Sequence, residues 1–320
     1  MQSVRFVALP FAILISIDAA TAAAAGYPER PVRMVVGFTP GSGGDALARM
    51  ICTRLVERWG QPVVVENRSG ASNTIAAALA ARAAPDGYTL LMVNANHTIT
   101  PSQMNLSYDP IGSFAPVSLL VTQPDVLVAL NTLPVKSLKE LIALARAKPG
   151  TLSFSSSGVG GAPYLAMALL IRKTGINMIS VPYRGSAEAL IALLGGEVHV
   201  MIGSISDVET RVQERKLNAL AVSTKKRVPS IPDVPTVAEA ADLPGYDVSA
   251  WQGVLAPAGT PKSIVNKLRD DMVSILRTPE IQAAMLNRGN VVIASTPEEF
   301  GNFIRDDILR WAPVVKTFDR

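Results

Sequence analysis

Short aliphatic runs recur along this chain at intervals too long for hairpins, and the stretches between them carry helical periodicity. The runs occupy residues 32–36, 63–65, 89–93, 126–130, 178–181, 198–202, 217–222 and 253–255. Segments 45–59, 137–148, 164–173, 187–194 and 262–276 space their apolar residues as amphipathic helices do. This alternation predicts an α/β fold with mainly parallel sheets, because parallel strands are joined by crossovers long enough to hold a helix. Gly60, Pro149-Gly150 and Pro261 punctuate the expected helix ends and starts. At 320 residues the chain exceeds one ordinary core, so two lobes are expected. No linker rich in Ser, Gly or Pro separates them. The chain therefore crosses between lobes on strands, which makes a hinge rather than a tether.

Composition removes several function classes. Cys52 is the single cysteine, which excludes an internal disulfide and a thiolate zinc cluster. His97 and His199 are the two histidines, and no HExxH or HxxxH spacing exists. No metal or cofactor is expected. A net charge of +4 with 5% aromatics argues against a nucleic-acid partner. Residues 1–25 read as a cleaved secretory signal peptide: Arg5, an apolar run from Phe6 to Ile17 and small residues around Ala20–Ala24. That run is shorter than the ~20 residues a spanning helix needs. The mature chain is expected to act outside the cytoplasm.

Two glycine-rich turns carry the chemistry. The first, Phe38-Thr39-Pro40-Gly41-Ser42-Gly43-Gly44-Asp45, follows the 32–36 strand and opens a helix. A helix N-terminus there presents unpaired N–H groups and a partial positive charge, which suits an anion. Asp45 is read either as a carboxylate favourable in a first helical turn or as an acceptor that orders the loop. The second, Ser155-Ser156-Ser157-Gly158-Val159-Gly160-Gly161-Ala162-Pro163-Tyr164, follows a short strand and again precedes a helix. Either turn alone is compatible with a bare tight turn. Together, at the carboxyl ends of strands, they describe two lobes clamping a small anion. Asn94, His97, Ser204 and Asp207 follow other strand ends and join the candidate set, as does Arg184 as a second anion contact.

Other chemistries fail on the residues. Neither turn completes GxGxxG, because Ala46 and Pro163 stand at the last position. No Walker A and no GxSxG sequence occurs. A secreted hydrolase using His97 with Ser156 or Asp45 remains as an alternative, although the spacing suggests no nucleophile–base pair.

The order of motifs resembles one known family. The segments YPERPVRMVVGF (27–38), PGSGGDALAR (40–49), GQPVVVENRSGA (60–71), APDGYTLL (84–91), VPYRGSAEAL (181–190), LLGGEVHVM (193–201), IPDVPTVAEA (231–240) and GVLAPAGTP (253–261) are similar to those of the periplasmic solute-binding proteins of tripartite tricarboxylate transporters, the Bug proteins. The resemblance implies a two-lobed type II periplasmic-binding-protein fold with a ligand cleft between lobes. It implies a small carboxylate gripped by the two glycine turns, and membrane transporter subunits, or a membrane sensor, as partner of a monomeric protein. It carries the first family loop onto Pro40, Gly41, Ser42, Gly43, Gly44 and Asp45, with Ser42 in place of a glycine. It carries the second onto Gly158, Gly160 and Gly161, where Gly161 stands for a serine and Tyr164 for a histidine. On this reading one lobe takes residues 26–125 and 225–320, the other 126–224.

Overall fold

The computed structural model describes residues 26–156, 161–183 and 185–315. The first lobe starts with β1 (Val32–Val36), α1 (Gly43–Trp59), β2 (Val63–Asn67), α2 (Thr74–Ala81), β3 (Thr89–Asn94) and the single turn α3 (Asn96–Ile99). β1 pairs in parallel with β2 on one side and β3 on the other. β4 (Phe114–Leu130) then runs for 17 residues. The second lobe follows with α4 (Leu138–Ala147), β5 (Ser153–Ser156), α5 (Ala162–Thr174), β6 (Ile179–Pro182), α6 (Ser186–Leu194), β7 (Val200–Ser204), α7 (Ile205–Gln213), β8 (Leu217–Val222) and α8 (Val237–Ala241). The chain ends with β9 (Ser249–Pro257), α9 (Lys262–Leu276), α10 (Pro279–Leu286), β10 (Val291–Val292) and α11 (Pro297–Val315). No described helix is long and apolar enough to cross a membrane.

β4 joins the lobes. Its first part, Phe114 to Pro124, pairs antiparallel with β9, which continues onto β3. Its second part pairs antiparallel with β7 on one side and β8 on the other. The strand path is thus β2-β1-β3-β9-β4-β7-β5-β6, with β8 and β10 also on β4. The sequence predicts a strand only over 126–130. The first part escapes it because Pro116, Ser118, Thr122, Gln123 and Pro124 break the aliphatic run. α10 and α11 are likewise absent from the sequence expectation.

The sheets are mixed and not mainly parallel as the alternation predicts: the β1 and β5 pairings are parallel, but every pairing of the lobe-joining β4 and of β9 is antiparallel. Both faces of each sheet are covered, so the central strands are apolar on both sides. In the first lobe Met34 and Val36 face the cluster of Leu47, Ile51 and Leu55 from α1, while Val35 faces Ala76 and Ala80 from α2. In the second, Leu127 and Ala129 face Leu141, Leu165 and Tyr246, while Val126 and Val128 face Ala189 and Val208. Val237, Tyr246 and Val248 belong to the Leu127 cluster. α11 serves both lobes: Phe300 and Ile304 pack beside Trp251, whereas Trp311 and Val314 pack with Leu165 and Leu170.

Three segments meet where the lobes join. The Asp125 N–H donates to Ser223 Oγ at 3.1 Å, the Ser223 N–H donates to the Asp125 carbonyl at 2.8 Å, and the Val248 N–H donates to the Ser223 carbonyl at 2.8 Å. Buried Ser223 therefore ties β4 to both ends of the excursion between β8 and β9.

Candidate functional site

The first glycine turn is a rigid structure with an open outer edge. Ser42 caps α1, its hydroxyl accepting the Asp45 N–H at 3.4 Å. Gly41 adopts φ +83°, a left-handed conformation that favours glycine. A Cβ on Gly44 would lie 2.3 Å from the Phe38 ring, so this glycine lets the aromatic ring close down on the helix start. A Cβ on Gly41 or Gly43 would meet nothing within 4 Å. Among the described residues no acceptor pairs with the Gly43 or Gly44 N–H.

Asp45 holds that turn from beneath. Its buried carboxylate accepts the Gly41 N–H at 2.9 Å, Arg49 Nε at 2.9 Å and Asn67 Nδ2 at 2.8 Å. Asn67 also donates to the Phe38 carbonyl at 3.1 Å and accepts from Arg49 at 3.0 Å. The Arg49 bond, with those from Asn67 and Gly41, lowers the Asp45 pKa to about 2 against the opposing effect of burial. Asp45 is thus spent on ordering the turn, and its charge is neutralised by Arg49. Asn67, from the end of β2, is a member of this network that the sequence reading does not single out.

A third segment lies beside the turn. Ala71, Ser72 and Asn73 take φ values of 44°, 53° and 74°, a run of left-handed residues without a glycine. Such a run is strained and persists only where its surroundings hold it. Asn73 packs against Gly37, where a Cβ would come within 2.7 Å of it. Its Nδ2 donates to Asn94 Oδ1 at 2.8 Å, and the same oxygen accepts the Asn96 N–H at 3.1 Å. Asn94 therefore fixes neighbouring loops to each other.

In the second lobe, Ser157, Gly158, Gly160 and Arg184 lie outside the described residues. Gly161 is the exposed N-cap of α5. Ser155 is buried, and its hydroxyl donates to the Ala189 carbonyl at 3.1 Å, on the side of the sheet that α6 covers. Ser156 is buried and its carbonyl accepts the Tyr183 N–H at 3.0 Å. Ser204 caps α7 and its hydroxyl lies 2.9 Å from that of Ser206. Asp207 is exposed in the first turn of that helix.

His97 has a different place from the one sought for it. It is 4% exposed, flanked by the rings of Tyr108 and Phe114, with Nε2 2.8 Å from the Pro110 carbonyl. Burial holds its pKa down to about 4, so the ring is neutral and Nε2 carries the donated proton. A histidine committed to packing and a backbone carbonyl offers no base to Ser156 or Asp45. Strand-end position alone brought it into the candidate set, and the aromatic neighbours that bury it are distant in sequence.

Asp125 is the buried acid that the sequence reading passes over, because it sits within a strand and outside any motif. It is 2% exposed and lies opposite Ser204 in the β4–β7 register. Its Oδ2 has no hydrogen-bond partner. Burial first, and the Asp207 charge second, raise its pKa to about 8.

Comparison with known proteins places this geometry. Residues 47–319 match the family model described as tripartite tricarboxylate transporter family receptor. BugT of Bordetella pertussis is 35% identical over 93% of this chain and 92% of its own length. Among solved structures, R. palustris Rpa4515 with adipate is 35% identical with a TM-score of 0.70, covering 91% of this chain and 98% of that one. MatC from Rhodopseudomonas palustris with bound malate is 34% identical with a TM-score of 0.68, covering 90% and 100%. A Polaromonas TctC solute-binding protein without ligand is 26% identical, yet its TM-score is 0.84, over 91% and 99%. The strand-to-helix turn, the lobe-crossing strands and these matches agree: the chain belongs to the tripartite tricarboxylate transporter receptor family of periplasmic solute-binding proteins and is not an enzyme.

Proposed function

We propose that this protein captures a small organic acid between its lobes, in the periplasm, and delivers it to the membrane subunits of a tripartite tricarboxylate-type transporter. The observation that carries the reading is the Gly41–Gly44 turn: the Gly43 and Gly44 N–H groups stand unpaired at the start of a 17-residue helix, on a turn that Asp45 locks from beneath. Each hydrogen bond to a charged group contributes about 1.5–3 kcal/mol net, and a helix terminus adds roughly 0.3–2 kcal/mol. A micromolar complex needs about 8.2 kcal/mol, so a handful of donors from two facing turns is enough after ordering costs. The relatives seen with adipate and malate support an acid as the solute.

In this reading the ligand-facing set is Phe38 and Pro40–Gly44 on one side and the 156–161 turn with Arg184, Ser204 and Asp207 on the other, while Asp45 and Ser155 support their turns from within. Residues 1–25 serve as the signal peptide and the mature protein works as a monomer. The pairing of β4 and the packing of Val237, Tyr246 and Val248 with Leu127 support crossovers near 124–125 and 248–249, so residues 225–248 go with the second lobe and not with the first as the sequence reading had it. The higher TM-score to the ligand-free relative, despite lower identity, supports an open arrangement of the lobes here.

A thermal-shift panel tests the function. Mono-, di- and tricarboxylates, aromatic acids and amino acids are each added in excess, and a genuine ligand raises Tm in proportion to RT ln(1 + [L]/Kd). A panel that moves Tm nowhere refutes carboxylate capture.

A further inference from the structure

A groove of about 410 Å³ crosses the junction of the lobes and shares no lining residue with either glycine turn. The first lobe supplies Leu119 of β4, Val291 of β10, Ile293 just beyond it and Phe303 of α11. The second supplies Val228, from the segment that follows β8. Ile293 is 41% exposed, although Leu119 and Val228 beside the same groove are buried. A concavity with apolar walls, within the roughly 300–1,000 Å³ of small-molecule sites, is a surface that gains by being covered. The charged groups of the lining are Lys225, Lys226, Arg227 and Asp247. Arg227 is committed to Glu239 at 2.9 Å and to the Pro232 carbonyl at 3.2 Å. The Asp247 carboxylate accepts the Lys225 N–H at 3.0 Å, and burial raises its pKa against the opposing charges of Arg310 and Lys225. Lys225 and Lys226 are exposed, and no ion pair among the described residues includes either. The lining therefore carries an excess of positive charge on one consecutive segment, beside apolar walls.

We propose that this groove is a second ligand site, separate from the glycine turns, for an amphipathic monocarboxylate whose apolar body covers Leu119, Val291, Ile293 and Phe303 and whose single head meets Lys225 and Lys226. Charge and polarity select that class. A cationic head would meet a lining with three cations and one acid. A dicarboxylate would set its second charge against apolar walls, at a desolvation cost that no partner there offsets. A peptide segment would bring backbone N–H and C=O groups that the same walls leave unpaired. Because both lobes line the groove, its occupant favours the lobe arrangement in which the groove is formed. The site does not depend on which acid the glycine turns hold, or on whether they hold one.

Decanoate below its micellar concentration is the probe, with decanol and decanedioate as controls. Protein labelled at its isoleucine δ-methyl groups is titrated by NMR, and the Ile293 resonance is identified by its loss in Ile293→Val. The expected result is a saturable shift of the Ile293 methyl with decanoate and weaker binding of both controls. The double variant Lys225→Ala/Lys226→Ala, which changes exposed side chains alone and should keep the wild-type Tm, raises the decanoate Kd about fivefold or more. Gly43→Pro leaves that Kd unchanged. An Ile293 resonance that decanoate does not move, a Kd indifferent to the two lysines, or equal binding of decanol overturns the site. A Kd that rises in Gly43→Pro would place decanoate between the glycine turns and overturns it as well. Each of these failures leaves carboxylate capture to its own test, the thermal-shift panel.

Discussion

Gly43 is the position where backbone chemistry is most cleanly separable from stability. It is the first residue of α1, where proline fits the helix and the missing N–H has no intrahelical carbonyl to lose. Ser42 before it sits at φ −68° and ψ 164°, the extended conformation that proline asks of its predecessor. Gly43→Pro is therefore expected to leave Tm of the free protein unchanged while removing one donor to a bound carboxylate. The loss of about 1.5–3 kcal/mol weakens Kd by roughly 10- to 150-fold, read by calorimetry with the acid that the panel identifies. Unaltered affinity would move the anion away from this turn. Asp125 makes a second prediction at the same scale. Its native pKa of about 8 lies above the ordinary 3.8, so between those values the native state holds a proton that the unfolded chain has released. Stability consequently falls as pH rises through that window, by up to about 1.4 kcal/mol per pH unit, and the contribution is unpenalised below it. Asp125→Asn abolishes the titration. Urea unfolding at a series of pH values should show a flatter profile for the variant, and equal slopes would mean that Asp125 stays ionised.

Elements respond to what packs against them. At Gly253 in β9 a Cβ would come within 2.3 Å of the Phe300 ring and 2.9 Å of the Ser118 carbonyl oxygen. Phe300 is fully buried and Ser118 is backbone in the neighbouring strand, so neither yields cheaply. Gly253→Ala should cost about 1–3 kcal/mol by overpacking, measured by denaturant unfolding, and should separate α11 from the sheet. Gly43→Ala, whose Cβ meets open space, serves as the neutral comparison. The same elements show what was legible. β8 (Leu217–Val222) and α9 (Lys262–Leu276) coincide with the sequence expectation to the residue, because aliphatic runs and an amphipathic stripe are local signals. β4 was half legible: its apolar second part reads as a strand, but its polar, proline-bearing first part is held by pairing with β9, which lies more than a hundred residues away.

For the whole molecule the proposed open arrangement has a measurable consequence. If the lobes close on their ligand about the Asp125–Ser223–Val248 junction, the radius of gyration from small-angle X-ray scattering falls when the acid saturates the protein. Identical scattering with and without ligand would show that the described arrangement is already the closed one. The joint is also where sequence reading is weakest. Asp125 on β4, Trp251 on β9, and Asp307 and Trp311 on α11 come from three separate elements and from no motif, so nothing local announces their burial.

From its sequence alone this chain declared strand–helix alternation, a glycine turn at the start of α1, and the family to which those motifs belong. Each depends on residues within a few positions of one another, where propensity and capping act directly. The tertiary structure alone decided that Asp45 is spent on ordering its own turn, that His97 is walled in by Tyr108 and Phe114, and that Asp125 is buried opposite Ser204 on the lobe-joining strand. Burial and partnership are set by segments brought together across the whole chain, and no local pattern encodes them.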